Sequence, residues 1–182
     1  KKDRWKEARR IAATGKDPLP AKVIQWLDLT RPGPGRDFKE MSEFLKANPD
    51  WPLRYTLTQQ AERAMPEYTK PQDILKWFGE REPLTVDGAI KLAGALIATR
   101  QDKRAEQVVR RAWIELNFPK DDEKVFLQRF GHLLNAQQHW TRLDRLLWDG
   151  ERGQAERMLG KVDTGRQALA RARIKLQNEA KD

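Results

Sequence analysis

Apolar residues recur every three or four positions along most of this chain, which is the spacing of an amphipathic α-helix. No stretch bounded by turn residues shows the alternation of apolar and polar residues that is typical of β-strands. The pattern therefore predicts an all-α protein of ten or eleven helices. The most regular helical stripe consists of Ala105, Val108, Val109, Ala112, Trp113 and Leu116.

Residues 121–148 predict two helices joined by a short turn at residues 134–136. Each helix carries apolar residues along one face, so the pair is expected to form an αα-hairpin with an apolar seam. The first helix contributes Phe126, Leu127, Phe130, Leu133 and Leu134, and the second contributes Trp140, Leu143, Leu146, Leu147 and Trp148.

Helix boundaries are indicated by proline and by capping residues. Asp37 and Thr85 are predicted N-caps, and Pro18, Pro52 and Pro71 are predicted to lie at helix starts. The stretch RPGPG (31–35) is expected to be a loop that no helix can cross. The helix after Pro52 is predicted to turn Leu53, Leu57, Ala61 and Ala64 inward, and the last helix is built on Leu169, Ala172 and Leu176.

Similar helix-to-helix turns occur at residues 12–17, 97–102 and 147–152. In addition, Trp77, Trp113 and Trp148 are spaced by about 35 residues, close to the ~34-residue period of tetratricopeptide helix pairs. We therefore expect an irregular, tetratricopeptide-like α-solenoid, or superhelix, of antiparallel helix pairs. It is predicted as one segment that spans residues 1–182.

The net charge of +9 and the isoelectric point of about 9.9 favour anionic partners such as nucleic acid, acidic lipid or a carboxylate-bearing polymer. A solvated helical surface is the simpler explanation of the same charge. The absence of cysteine excludes disulfides and thiolate chemistry. Mean hydropathy is −0.86 and no long apolar run is present, so no membrane-spanning helix is predicted.

Candidate catalytic and metal-binding residues are few. His132 and His139 are separated by a predicted turn and have no acidic residue at ligand spacing, so structural or surface roles are favoured. The acidic residues at 121–123 are explained by the dipole of a helix that begins there. No catalytic residue, metal ligand or cofactor is predicted. Trp26, Trp113 and Trp148 lie on apolar stripes and are predicted core residues. Trp51 fits either a core residue or an exposed ring that stacks on a ligand, and a staple at a helix start is the simpler role.

Several motifs, taken in order and spacing, resemble the amino-terminal helical superhelix of soluble lytic murein transglycosylases. The resemblance extends over nearly the whole chain from Trp5 onward. The motifs are NPDWP (48–52), ERA (62–64), WF (77–78), PLT (83–85) with Gly88, VRRAW (109–113) after Ala105, Glu123 with FL (126–127) and FG (130–131), and His139 with RLD (142–144) and LLW (146–148).

The resemblance implies a periplasmic enzyme that cleaves the β-1,4 bond between N-acetylmuramic acid and N-acetylglucosamine and leaves a 1,6-anhydro end. In that family the catalytic glutamate lies in a carboxy-terminal lysozyme-like domain, typically followed by serine. This chain has no Glu-Ser dipeptide. We therefore expect a non-catalytic piece of a longer protein.

A scaffold of this kind implies three partners: peptidoglycan glycan strands, the lysozyme-like domain of the same chain, and cell-wall synthesis proteins. Arg110, Arg111, Arg142 and Arg145 are the candidate substrate-binding residues. A salt-bridged helix surface is the alternative role for each of them.

Two other functions fit parts of the sequence. A tetratricopeptide-like adaptor would bind protein segments in its concave groove. A basic helical nucleic-acid binder would require steeply salt-dependent affinity, but only the net charge supports it, and no recognised binding motif is present. Nucleic acid is accordingly not an expected partner.

Overall fold

The structure, a computed structural model, describes the backbone of residues 2–31 and 37–179 and the side chains of residues 4–31 and 37–177. This part of the chain contains eleven α-helices, two short 3-10 helices and no β-strand. The predicted all-α class is therefore confirmed, and the solenoid arrangement stays a prediction. The RPGPG loop beyond Arg31 lies outside the described residues. None of the helices within the described ranges is long and apolar enough to cross a bilayer.

Two compact units divide the chain, and the first comprises residues 1–68. It contains α1 (Lys2–Ala12), α2 (Leu19–Thr30), α3 (Phe38–Ala47) and α4 (Arg54–Ala64). Helix α1 packs against α2, α3 packs against α4, and α2 also contacts α4. The core of this unit is formed by Leu29, Met41, Phe44, Leu45, Leu57, Ala61 and Met65.

The second unit comprises residues 69–182. Its α-helices are α5 (Pro71–Phe78), α6 (Val86–Ala98), α7 (Asp102–Glu115), α8 (Lys120–Phe130), α9 (Ala136–Trp148), α10 (Arg152–Met158) and α11 (Thr164–Glu179). The 3-10 helices Gly131–Leu133 and Leu159–Lys161 follow α8 and α10. Helix α6 packs against α5 and α7, and α9 packs against α7, α10 and α11. The core is consequently buried between successive helices.

Capping side chains fix the starts of α3, α6 and α9. The side chain of Asp37 accepts a hydrogen bond from the backbone N–H of Lys39 at 2.7 Å, and that of Thr85 accepts one from Gly88 at 3.0 Å. Both predicted N-caps are confirmed. Asn135 begins α9 with a capping box, in which the Asn135 backbone N–H donates a hydrogen bond to the side-chain oxygen of Gln138 at 3.0 Å.

The start of α4 differs from the prediction. The helix begins at Arg54, so Pro52 precedes it, and Leu53 has a left-handed backbone conformation with a φ angle of 57°. This conformation turns the Leu53 side chain outward, where it is 55% exposed. The prediction that Leu53 faces the core was wrong, whereas Leu57 and Ala61 are buried as expected.

For two helices of the second unit, the sequence also predicted the wrong buried residues. Trp148 is 80% exposed, because it lies five residues after Leu143 and therefore projects away from the stripe that Leu143 and Leu147 form. In α11, residues 169, 172 and 176 are exposed, and the buried positions are Ala170 and Ile174. The helix exists as predicted, but a different face of it meets α9.

The turns after α6 and α9 share one geometry. The backbone N–H of Gln101 donates to the carbonyl oxygen of Leu96 at 2.9 Å, and that of Glu151 donates to Leu146 at 2.8 Å. These six-to-one bonds are typical of the Schellman motif, which places a left-handed residue at the helix end. Arg100 and Gly150 occupy that position, with φ angles of 59° and 73°. In the third predicted turn, Gly15 instead donates to Ala12 at 3.3 Å.

Substituting Gly150 should reveal the cost of this left-handed position. We expect Gly150→Ala to lower the free energy of unfolding by about 1 kcal/mol, because a Cβ atom is strained at positive φ. Gly153→Ala, in the adjacent α10, should raise it by about 0.5 kcal/mol, since nothing lies within 4 Å of the added carbon. Urea unfolding of the two variants measures whether the changes in the free energy of unfolding have opposite signs. A destabilised Gly153→Ala variant would contradict this prediction.

Candidate binding site

Arg142 lies on α9 and has no exposed surface. Its Nη1 donates hydrogen bonds to the carbonyl oxygens of Trp113, at 2.5 Å, and Leu116, at 2.8 Å. Its Nη2 donates to the side-chain oxygen of Gln154 on α10 at 3.1 Å. The last carbonyl groups of a helix have no partner within the helix. Arg142 therefore caps the end of α7 and connects α7 with α9 and α10.

The Arg142 guanidinium also lies against two aromatic rings. Its central carbon is 4.4 Å from the ring centroid of Trp113 and 4.7 Å from that of Phe118. Burial lowers the pKa of Arg142 to about 10, partly offset by the negative charge of Glu123. The side chain nevertheless stays protonated at neutral pH, so a cation is held inside the second unit.

Two further arginines bind carbonyl groups at the end of α7 and in the segment between α7 and α8. Arg145 donates to the carbonyl oxygens of Ile114 at 3.0 Å and Leu116 at 3.1 Å. Arg157 donates to the carbonyl oxygen of Phe118 at 2.9 Å and forms an ion pair with the nearly buried Glu123 at 2.8 Å. We call Arg142, Arg145 and Arg157 the arginine cap. Sequence reasoning missed Arg157. The one signal for it was its place in α10 beside Met158, a residue that is buried.

Arg110 and Arg111 lie on α7, and ion pairs hold both of them. Arg110 pairs with Glu106 and donates to the carbonyl oxygen of Leu133 at 3.3 Å. Arg111 pairs with Glu115 at 2.8 Å and with Glu82 at 3.4 Å, and hydrogen bonding to Glu115 raises the pKa of Arg111. Their side chains are 39% and 51% exposed.

The four arginines predicted to bind substrate differ in their exposure to solvent. Arg142 cannot contact a ligand at the surface, because its side chain is fully buried among protein acceptors. The proposal of a binding role for Arg142 is therefore corrected to a structural one. Arg110, Arg111 and Arg145 retain exposed surface, and their role in binding stays a prediction.

His139 lies beside this cluster, with its ring perpendicular to that of Trp113 at a centroid distance of 5.7 Å. Burial lowers the pKa of His139, and the positive charges of Lys161 and Arg142 lower it further. The ring therefore favours its neutral form. Its placement in a packed helix interface agrees with the structural role expected from the sequence.

This environment predicts that stability falls in mild acid. Because the pKa of His139 lies below its ordinary value of 6.5 in the folded chain, the unfolded chain takes up a proton more readily. The stability that neutral His139 contributes is present above about pH 6.5 and is lost progressively as the pH falls from there toward the lower pKa of the folded chain. Urea unfolding between pH 7.5 and 5 should show a weaker pH dependence for His139→Gln. His132→Gln, at an exposed position, should keep the wild-type profile, and identical profiles for all three proteins would contradict the account.

The acidic residues at 121–123 occupy the first turn of α8, as predicted. Asp122 is partly buried, and this burial, together with the charges of Asp87 and Asp121, raises the pKa of Asp122. Among the residues that the structure describes, no group of three or more histidine or acidic side chains is arranged to hold a metal ion.

Tryptophans occupy both buried and exposed positions. Trp113 is fully buried against Phe118 and Phe126, as predicted. In the first unit, Trp26 is half-buried and its indole N–H donates to the carbonyl oxygen of Pro52 at 3.0 Å. Trp51 packs edge-on against Trp26 of α2, with 6.4 Å between ring centroids.

Comparisons with protein-family models, curated proteins and solved structures give no match to this chain.

Proposed function

We propose that this chain is the non-catalytic helical scaffold of a periplasmic peptidoglycan lytic transglycosylase and that it binds peptidoglycan. The single observation that carries the proposal is the ordered series of motifs shared with that family. Three of them coincide with distinct elements: NPDWP (48–52) is the corner between α3 and α4, VRRAW (109–113) is in α7, and RLDRLLW (142–148) completes α9.

The family motifs in the second unit also include residues that hold its helices together. Trp113 contacts aromatic rings of α8 and α9, and Arg142 caps α7. A scaffold needs this kind of fixed helix packing, because it must hold a catalytic domain and a polymer in a defined relation. The cleavage itself is assigned to the lysozyme-like domain of the full-length enzyme.

Charge supports contact with peptidoglycan. The chain has a net charge of +9, and the stem peptides of peptidoglycan carry carboxylates. Positive surface potential raises the local concentration of such a polymer. Arg111 of α7 is a suitable contact, since about half of its side chain is exposed to solvent.

Cosedimentation with purified insoluble sacculi tests the proposal. We expect the chain to be retained by sacculi at low salt, to be released gradually as salt rises, and to stay bound when duplex DNA is added in excess. Loss of all retention to DNA would indicate nonspecific attraction by charge. Absence of retention at every salt concentration would contradict peptidoglycan binding and would favour the protein-binding adaptor.

A matched pair of variants distinguishes a specific contact at Arg111 from a general effect of net charge on binding. Arg111→Gln should release the chain at lower salt than wild type. Arg152→Gln removes the same charge from a side chain of similar exposure, 55% against 51%, that also has a glutamate four residues later. It should retain wild-type binding. Equal weakening by the two substitutions would mean that the α7 surface is not a specific contact.

A further inference from the structure

A cleft of about 440 Å³ lies between α2 and α3 in the first compact unit. Its volume falls within the range of about 300–1,000 Å³ that is typical of small-molecule sites. Lys22 and Gln25 belong to the α2 side, and Glu43 and Asn48 to the α3 side. The remaining lining residues are apolar, namely Pro18, Ala21, Phe44 and Ala47.

Opposite charges stand on the two sides of this cleft. Lys22 extends over the Trp51 ring, with 5.3 Å between its Nζ atom and the ring centroid. Glu43 has one ion pair in the described part of the chain, with Lys39 at 3.9 Å, and both side chains are more than two-thirds exposed. Such exposed pairs contribute little stability. The Lys22 ammonium and the Glu43 carboxylate are therefore both accessible to a ligand.

Two amide side chains add hydrogen-bond acceptors. Gln25 donates through its Nε2 to Glu40 at 3.0 Å, and Asn48 donates through its Nδ2 to the carbonyl oxygen of Phe44 at 2.9 Å. These bonds fix the orientation of both amides. Within the described residues neither amide oxygen accepts a hydrogen bond, so each can accept one from a peptide N–H.

An aromatic cluster supports the cleft from the protein side. Phe44 is 4% exposed and packs at 90° to Trp51, with 5.9 Å between ring centroids. Trp51 in turn contacts Trp26 of α2. The cluster bridges α2 and α3, the helices that carry Lys22 and Glu43, and therefore holds the two sides of the cleft together.

We propose that this cleft binds a short zwitterionic peptide of two or three small residues, with its ammonium group at Glu43 and its carboxylate at Lys22. The two amide oxygens accept backbone N–H groups of the peptide, and the apolar lining contacts its methyl groups. This assignment uses only the first unit and does not depend on the proposed function.

Titration of the full chain with Ala-Ala-Ala, followed by two-dimensional NMR of backbone amides, tests the assignment. The peptide with free termini should shift saturably the signals of residues 21–25 and 43–48. Acetylation of its amino terminus, or amidation of its carboxyl terminus, should each weaken binding by about tenfold or more, because one charged contact is lost.

Charge variants identify the two contacts. Lys22→Gln and Glu43→Gln should each weaken binding of the free peptide by about tenfold, whereas Lys46→Gln, which removes an exposed charge from the same helix α3, should leave it unchanged. The double exchange Lys22→Glu with Glu43→Lys should restore binding, since the peptide can enter in the opposite direction. The dispersion of each NMR spectrum reports whether the variant is folded.

Three results would overturn the assignment: no saturable shifts in α2 and α3, equal binding of free and capped peptides, or equal losses in Lys46→Gln and Lys22→Gln. A failed peptide titration would reject the cleft assignment alone, because retention on sacculi is measured separately. Conversely, peptide binding without retention on sacculi would support the cleft and reject peptidoglycan binding.

Discussion

Arg142→Ala should lower the stability of the second unit by about 3–5 kcal/mol, the largest effect of any arginine substitution considered in this chain. The change removes the donor of the buried Trp113 carbonyl group, whereas the Leu116 carbonyl and the Gln154 side-chain oxygen keep hydrogen bonds from Arg145 and from the Phe118 backbone N–H. It also leaves space beside Trp113. Each buried acceptor without a partner costs about 1–3 kcal/mol, and lost packing adds to this. Urea unfolding combined with amide hydrogen exchange in α7 and α9 measures the loss.

Arg171→Ala is the control for this prediction. Arg171 is exposed on α11 in the same unit, so its substitution should change stability by no more than about 0.5 kcal/mol. Arg142→Lys should recover only part of the loss, because a compact ammonium cannot reproduce the planar fork that reaches α7 and α10 together. Wild-type stability in Arg142→Ala would show that the arginine cap does not hold these helices.

Trp113→Ala should destabilise the second unit by about 3–5 kcal/mol. Its indole is fully buried and contacts the rings of Phe118 in the segment before α8, Phe126 of α8 and His139 of α9. Removing it opens a cavity at the point where these elements meet. Thermal and urea unfolding should both register the loss.

Trp148→Ala provides the matched comparison, because it removes the same side chain from a position that is 80% exposed. We expect a change of no more than about 0.5 kcal/mol. The sequence pattern alone would predict similar losses, since both residues belong to apolar stripes. Similar losses in the two variants would therefore contradict the burial assigned by the structure.

Helix positions in this chain were predictable because local signals fix them. Asp37 and Thr85 begin helices through their own side chains, and the 3.6-residue period of α7 reports its buried face directly. The turns after α6 and α9 were also recognisable, since in each an apolar helix end is followed by polar residues, and both contain the same six-to-one hydrogen bond. These features depend on contacts within a few residues.

The errors arose where a side chain lies on a different face from the apolar residues near it in the sequence. Leu53 is apolar, but a left-handed backbone angle directs it outward. Trp148 adjoins a buried stripe in sequence but lies on another face of the helix.

The candidate site was harder to predict than the helices, for a related reason. Arg142 is charged, so composition suggests a surface residue, yet carbonyl groups from 26 and 29 residues earlier in the chain surround it. No local pattern encodes those partners. The opposed charges of Lys22 and Glu43 likewise depend on the packing of α2 and α3.

The arginine cap joins two of the sequence motifs in the second unit. Residues of the VRRAW and RLDRLLW motifs contact each other, because Arg142 donates to the carbonyl oxygen of Trp113 and stacks on its ring. Two motifs separated by about thirty residues thus form one interaction. This coupling is a structural property, and contact with peptidoglycan is a separate hypothesis that needs its own test.

The most direct test of that hypothesis is cosedimentation with untreated sacculi and with sacculi whose stem-peptide carboxylates have been converted to amides. We predict retention on the untreated polymer and a release at much lower salt from the amidated one, because the positive charge of the chain meets fewer anionic groups. Failure to bind untreated sacculi, or equal retention on both forms, would contradict the proposed contact between the basic scaffold and anionic peptidoglycan.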